Sequence, residues 1–162
     1  MFGCVLAGRA DAVTIAQELR KFGKKLVFTN GCFDLLHAGH VTYLAAARQL
    51  GDALMVGVND DASVRKLKGD GRPIMPLADR MRVLSALRSV DFVVAFSEST
   101  PADLIAAVQP DVLVKGSDYH VGDIVGRDIV ESYGGRVEVV QLIPGRSTTD
   151  IIRRITGGTA KK

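Results

Sequence analysis

The strongest constraint on the fold is an alternation repeated along the chain. Short apolar runs rich in β-branched residues occur at Leu26–Thr29, Ala53–Val58, Phe92–Phe96, Val112–Val114 and Val137–Leu142. Each reads as a mostly buried strand. Helical stretches separate them at Val41–Leu50, Leu77–Ser89, Ala102–Val108 and Ile124–Tyr133. A further helix, Ala12–Phe22, precedes the first strand and another, Thr149–Ile155, follows the last. Gly51, Pro101, Pro110 and Gly134-Gly135 punctuate the junctions. This repetition predicts an α/β, Rossmann-like three-layer sandwich on a five-stranded parallel sheet. Right-handed crossovers then place ligands beyond the carboxyl ends of the strands, near the point where strand order reverses. Chemistry-bearing residues should therefore follow strands, and they do.

The chain has 162 residues, enough to bury a core in one domain without staples. We expect that domain to span 1–162, with its core at about 24–155, the helix 12–22 ahead of it and a frayed tail at 156–162. A net charge of +3 is too small to point to nucleic acid, but suits a small anionic ligand if the charges converge. Two cysteines, Cys4 and Cys32, make no disulfide framework and favour a reducing compartment. No apolar run reaches membrane-spanning length, and the first nine residues lack the pattern of a secretory leader. The expectation is a cytoplasmic protein that meets small molecules in solution, with neither nucleic acid nor membrane as a partner.

The first strand runs into Asn30-Gly31-Cys32-Phe33-Asp34, and a helix follows near Ala38-Gly39-His40. A helix start presents unpaired N–H groups and a partial positive charge, which favour an anion. Gly31 and Gly39 would let the backbone approach it closely. His37 and His40, three apart, share one face and could donate to phosphate oxygens. They could also be capping residues or metal ligands, but no third ligand of a suitable type lies nearby, so no protein metal site is expected. Cys32 reads as a small buried residue, since no base stands beside it.

Three later segments also follow strands. Asn59-Asp60-Asp61 leads into a basic stretch holding Arg65, Lys66, Lys68 and Arg72, interrupted by glycines. That stretch reads either as a solvated loop or as a mobile clamp on phosphate-bearing substrates. Arg80, on the next helix, could fork onto a phosphate or pair at the surface. Lys115-Gly116-Ser117-Asp118-Tyr119-His120 could be a plain turn, or could bring Lys115, Gly116 and Asp118 to a nucleotide or sugar. Ser147-Thr148-Thr149 has the form of a helix N-cap and equally of a second phosphate site.

Gly-Cys-Phe-Asp-Leu-Leu-His-x-Gly-His at residues 31–40 resembles the nucleotidyltransferase superfamily that includes the cytidylyltransferases and the pantetheine-phosphate adenylyltransferases. The resemblance covers roughly Lys24 to Ile155, and Ser147-Thr148-Thr149 matches the family's second motif. More narrowly, Gly71–Arg80, Lys115–Tyr119 and Pro144–Ile152 look like the adenylyltransferases of ADP-heptose synthesis. In many bacteria these are fused behind a sugar kinase. A chain of 162 residues has no room for that domain, so the resemblance is to the stand-alone form. Two positions depart from the pattern. Ser117 stands where the family has a second glycine, and Arg146 where a small residue or cysteine is expected. The Glu-Gly-Ile that precedes Ser-Thr in cytidylyltransferases is missing, which leans towards ATP.

The resemblance implies transfer of AMP from ATP to D-glycero-β-D-manno-heptose 1-phosphate, giving ADP-heptose and pyrophosphate for lipopolysaccharide or surface-polysaccharide precursors. It implies Mg²⁺ carried with the nucleotide, and a homo-oligomer. His37, His40 and Lys68 would be catalytic. Asn30, Gly31, Cys32, Phe33, Asp34, Gly39, Lys115, Gly116, Asp118, Ser147, Thr148 and Thr149 would bind nucleotide, and Asp60, Asp61, Arg72 and Arg80 the acceptor. The alternatives are a CTP-dependent enzyme for glycerol or ethanolamine phosphate, and a nucleotide-binding regulatory protein without turnover.

Overall fold

The computed structural model describes residues 3–118 and 121–157. Tyr119 and His120 of the polar turn, and residues 158–162 of the expected tail, lie outside the described residues. The strands are β1 (Cys4–Val5), β2 (Leu26–Gly31), β3 (Ala53–Asn59), β4 (Phe92–Phe96), β5 (Val112–Gly116) and β6 (Arg136–Val140). All pair in parallel, in the order β1-β4-β3-β2-β5-β6. The helices are α1 (Arg9–Lys21), α2 (Ala38–Arg48), α3 (Asp61–Lys68), α4 (Leu77–Ser85), α5 (Ala102–Val108), α6 (Arg127–Ser132) and α7 (Thr148–Ile155).

The expected Rossmann-like sandwich is present, but the sheet has six strands rather than five. The additional strand, β1, is two residues long and pairs only Cys4 with Phe92 and Val5 with Val93. A stretch that short carries no periodic signal. The second correction concerns the basic stretch. Residues 61–68 are helical, not a loop, and the Asp60 carboxylate caps the helix by accepting from the Ser63 N–H at 2.7 Å.

Alternation along the central strands builds a core on each face of the sheet. Leu26, Phe28 and Met55 face one way, into a cluster with Ala12 and Ala16 of α1 and Leu104, Ile105 and Val108 of α5. Val27, Leu54 and Val56 face the other way, towards Leu44 and Ala47 of α2 and Met81 and Leu84 of α4. β3 is buried at all seven positions, as a central strand covered on both faces should be.

Strand order fixes where a ligand can enter. From β2 the chain adds β3 and then β4 on one side, and afterwards places β5 on the other side of β2. Order therefore reverses between β2 and β5. The loops leaving their carboxyl ends diverge there and leave a crevice.

Candidate active site

A cleft of about 540 Å³ opens at that reversal. Asn30 and Gly31 close β2 and form its floor, and Cys32, Phe33 and Asp34 turn along one wall. Phe33 holds a left-handed backbone, φ 47°, which non-glycine residues rarely adopt. Its ring is nearly buried and lies 5.3 Å from the His40 ring.

His37 is the N-cap of α2 and His40 stands in its first turn. Their rings stack with centroids 3.9 Å apart and an interplanar angle of 27°. Nδ1 of each is buried and has no hydrogen-bond partner within the protein. Burial pushes His40 down to about 4, and the adjacent His37 adds to the shift. Burial also lowers His37, with Arg146 contributing. Both shifts favour the neutral imidazole at pH 7.

The carboxyl end of β5 supplies Lys115, which donates from Nζ to Asn30 Oδ1 at 2.5 Å. Burial brings its ammonium down to about 8, while Asp118 pulls the other way. Gly116 keeps this wall thin, since a Cβ there would lie 2.7 Å from Asp118 Oδ1 and 2.8 Å from Leu142. Ser117, one of the two departures, lies behind the wall. Its hydroxyl accepts from the Leu142 N–H at 3.2 Å and ties β5 to the segment after β6.

α7 brings a second helix start to the cleft. Ser147 Oγ accepts from the Asp150 N–H and donates to the Asp150 carboxylate, so this hydroxyl is engaged as a cap. Thr148 Oγ1 donates to Leu35 O at 3.1 Å and fastens α7 to the loop before α2. Arg146, the other departure, lines the cleft beside His37 and is in none of the ion pairs among the described residues.

Lys68 and Arg72 also line the cleft. Arg72 Nε donates to Asp34 Oδ2 at 2.5 Å. Asp34 is buried and also accepts from the Ile74 and Met75 N–H groups. Burial alone would raise its pKa, but those backbone donors and Arg72 outweigh it and hold the carboxyl below its ordinary value. Burial raises the Cys32 thiol against the pull of Lys68, Arg80 and Arg72, which disfavours the thiolate at neutral pH.

Most of the residues singled out in the sequence meet at this cleft: Asn30, Gly31, Cys32, Phe33, Asp34, His37, Gly39, His40, Lys68, Arg72, Lys115, Gly116, Asp118, Ser147, Thr148 and Thr149. Asp60, Asp61 and Arg80 do not line it. Asp60 is the α3 cap, and Arg80 is fully buried with its guanidinium bonded to protein. Sequence reasoning passed over Ser99, Thr100 and Pro101, which follow β4 and line the cleft. The same rule of looking beyond strand ends would have found them. It also passed over Tyr43, whose hydroxyl donates to Val114 O at 3.0 Å and lies 2.7 Å from Thr29 Oγ1, pinning α2 to β5 and β2.

A family model described as cytidylyltransferase-like matches residues 28–155, from within β2 to the end of α7. The chain belongs to the cytidylyltransferase-like family. It is 58% identical over 136 residues to the bifunctional protein HldE of Syntrophotalea carbinolica, covering 84% of this chain and 28% of that protein. It is 57% identical over 151 residues to HldE of Geotalea uraniireducens, covering 93% of this chain and 30% of that one. This cytidylyltransferase-like chain thus spans under a third of the curated relatives' length. A solved structure described as the lipopolysaccharide core biosynthesis protein from Thermoplasma volcanium GSS1 matches with a TM-score of 0.63 and 28% identity, covering 75% of this chain and 98% of that one. No helix among the described residues is long and apolar enough to cross a membrane.

Proposed function

We propose that the protein transfers AMP from ATP to D-glycero-β-D-manno-heptose 1-phosphate, releasing pyrophosphate and forming ADP-heptose for lipopolysaccharide or surface-polysaccharide precursors. The observation that carries this reading is the stacked pair His37 and His40, set between the starts of α2 and α7 at the β2–β5 reversal. The relatives named HldE and the neighbour named for lipopolysaccharide core biosynthesis support the choice of acceptor. So do the segments at residues 71–80, 115–119 and 144–152.

An oxygen of the sugar phosphate attacks the α-phosphorus in line. One P–O bond forms, the bond to the bridging oxygen of the β-phosphate breaks, and the electron pair leaves on pyrophosphate. No covalent enzyme intermediate is required, so positioning and charge stabilisation carry the catalysis. His37 and His40 donate to oxygens at the reacting phosphate. The α7 start, Arg146 and the backbone at Ser147 and Thr148 hold the leaving end. Lys68 and Arg72 take anionic oxygens of either substrate, and Lys115 and Asp118 face the nucleotide or sugar.

Among the described residues no three acidic, histidine or cysteine side chains gather into a metal site, and Asp34 is occupied by Arg72 and two backbone donors. A Mg²⁺ would therefore come with the nucleotide rather than with a protein ligand set, and would neutralise phosphate charge there. Assembly into a homo-oligomer is part of the proposal and is checked by light scattering.

The test is pyrophosphate release from ATP, CTP, GTP and UTP with heptose 1-phosphate, glycerol 3-phosphate and phosphoethanolamine. Turnover is expected with ATP and heptose 1-phosphate. Preference for CTP with another acceptor, or undiminished turnover in His37→Ala and His40→Ala, would overturn the reading.

A further inference from the structure

Arg80 is the largest fully buried side chain among the described residues, and its charge is met by three separate elements. Nη2 pairs with Asp61 Oδ1 at 2.7 Å, in the first turn of α3. Nη1 donates to Cys32 O at 2.6 Å, in the loop after β2. Nε donates to Met75 O at 3.0 Å, beside the segment that hangs from Asp34. The guanidinium lies outside the cleft and its side chain has no exposure, so it acts on substrates only through what it holds.

We propose that Arg80 and Asp61 form a positioning joint that fixes α3, and with it Lys68, against the phosphate-facing loop at residues 30–34. This rests on the reading of Lys68 as an anion-binding residue. α3 buries little besides Ser63 and Val64, and its far end runs into Gly69 and Gly71, both at positive φ with open space around them. Its downstream link is therefore compliant, and its orientation is set at the Asp61 end. A helix of eight residues extends about 12 Å, so a small tilt at Asp61 becomes a large displacement at Lys68. Burial adds specificity to the joint. A buried guanidinium deprived of its one carboxylate is strongly disfavoured, so Arg80 recruits Asp61 whenever the loop and α4 are in place. A lysine would not substitute, because three partners in three directions need the planar fork.

The experiment compares wild type, Asp61→Asn, Asp61→Glu, Lys68→Ala and the Asp61→Asn/Lys68→Ala double variant. The Asp61 side chain is 40% exposed and asparagine keeps an oxygen that can accept from Arg80, so Asp61→Asn removes the charge at the least structural cost; circular dichroism and urea unfolding check that each variant is folded. Amide hydrogen exchange in α3 is expected to rise about tenfold in Asp61→Asn, with β2 and β3 unchanged. kcat/KM for pyrophosphate release from ATP and heptose 1-phosphate should fall about tenfold, recover in large part in Asp61→Glu, and fall less than about twofold when Asp61→Asn is added to Lys68→Ala. Unchanged α3 exchange, or losses that multiply in the double variant, would overturn the joint. If the wild type releases no pyrophosphate with any acceptor, the adenylyl-transfer reading fails instead, and α3 exchange still decides the joint.

Discussion

The Lys115 ammonium donates to Asn30 Oδ1 across 2.5 Å, closing the sheet at the one place where its strand order reverses. Asn30 is a neutral amide, so this bond orients the ammonium, while the nearby Asp118 favours its charged form. With burial bringing it down to about 8, Lys115 is mostly charged at neutral pH and loses its proton in mildly alkaline solution. kcat/KM should therefore fall as pH rises through about 8, and the limb in kcat should lie higher, because bound phosphates favour the charged form. Lys115→Met should remove the limb and lower kcat/KM by about 10–100-fold. pH–rate profiles of the two proteins check this.

His40 makes the acid side of the stability profile. A histidine held at about 4 in the native state binds its proton more readily in the unfolded chain. Stability present above the ordinary histidine value is then lost as pH falls towards the native one. Between pH 7 and pH 5 the loss from this residue is about 2 kcal/mol. Urea titrations at the two pH values should show it in wild type and not in His40→Gln. Saturating ATP with Mg²⁺ should shrink it, because phosphate oxygens beside the ring favour the protonated form.

Gly39 separates fold from geometry. A Cβ there would lie 2.9 Å from Cε1 and Nδ1 of His37 and 3.3 Å from Cβ of Arg146. The imidazole can swing aside cheaply, and alanine within α2 favours the helix by up to about 1 kcal/mol. Gly39→Ala should therefore melt no lower than wild type while kcat drops about 100-fold, since His37 leaves its stack with His40. Thermal melting and steady-state kinetics on one preparation read both.

The fold was legible because Leu26–Thr29 and Ala53–Val58 are buried on both faces and say so in their composition. The two helix starts were legible for a related reason, since His37 and Ser147 each stand where a strand has just ended. What escaped the sequence lies in partners far apart along the chain. α3 holds only Val64 and Leu67 as large apolar residues amid charges, too thin a stripe to separate from a solvated loop. In sequence Arg80 reads as a phosphate-binding or surface cation on a helix, until Cys32, Asp61 and Met75 close around it. Arg146 stands out in sequence only as a departure, and its place beside His37 needs the fold of α7 against α2.

Asp34 also depends on partners distant along the chain. In the sequence it belongs with the phosphate-facing turn. In the structure it is 2% exposed, and its two oxygens accept from Ile74 N, Met75 N and Arg72 Nε, some forty residues away. Asparagine keeps the shape but offers one acceptor oxygen, turns an NH₂ towards groups that are themselves donors, and leaves the Arg72 charge, 16% exposed, without its counter-ion. Asp34→Asn should cost about 3 kcal/mol in urea unfolding. The sign of its pH dependence follows from the depressed carboxyl. The stabilisation is present above the ordinary aspartate value and is lost as pH falls through the lower native one. Wild type should therefore lose stability below pH 4 more steeply than Asp34→Asn. Arg72→Gln, which leaves both backbone donors on Asp34, should cost less than Asp34→Asn in stability yet weaken substrate binding, because the Arg72 cation can meet anionic oxygens in the cleft and the Asp34 carboxylate holds it in place.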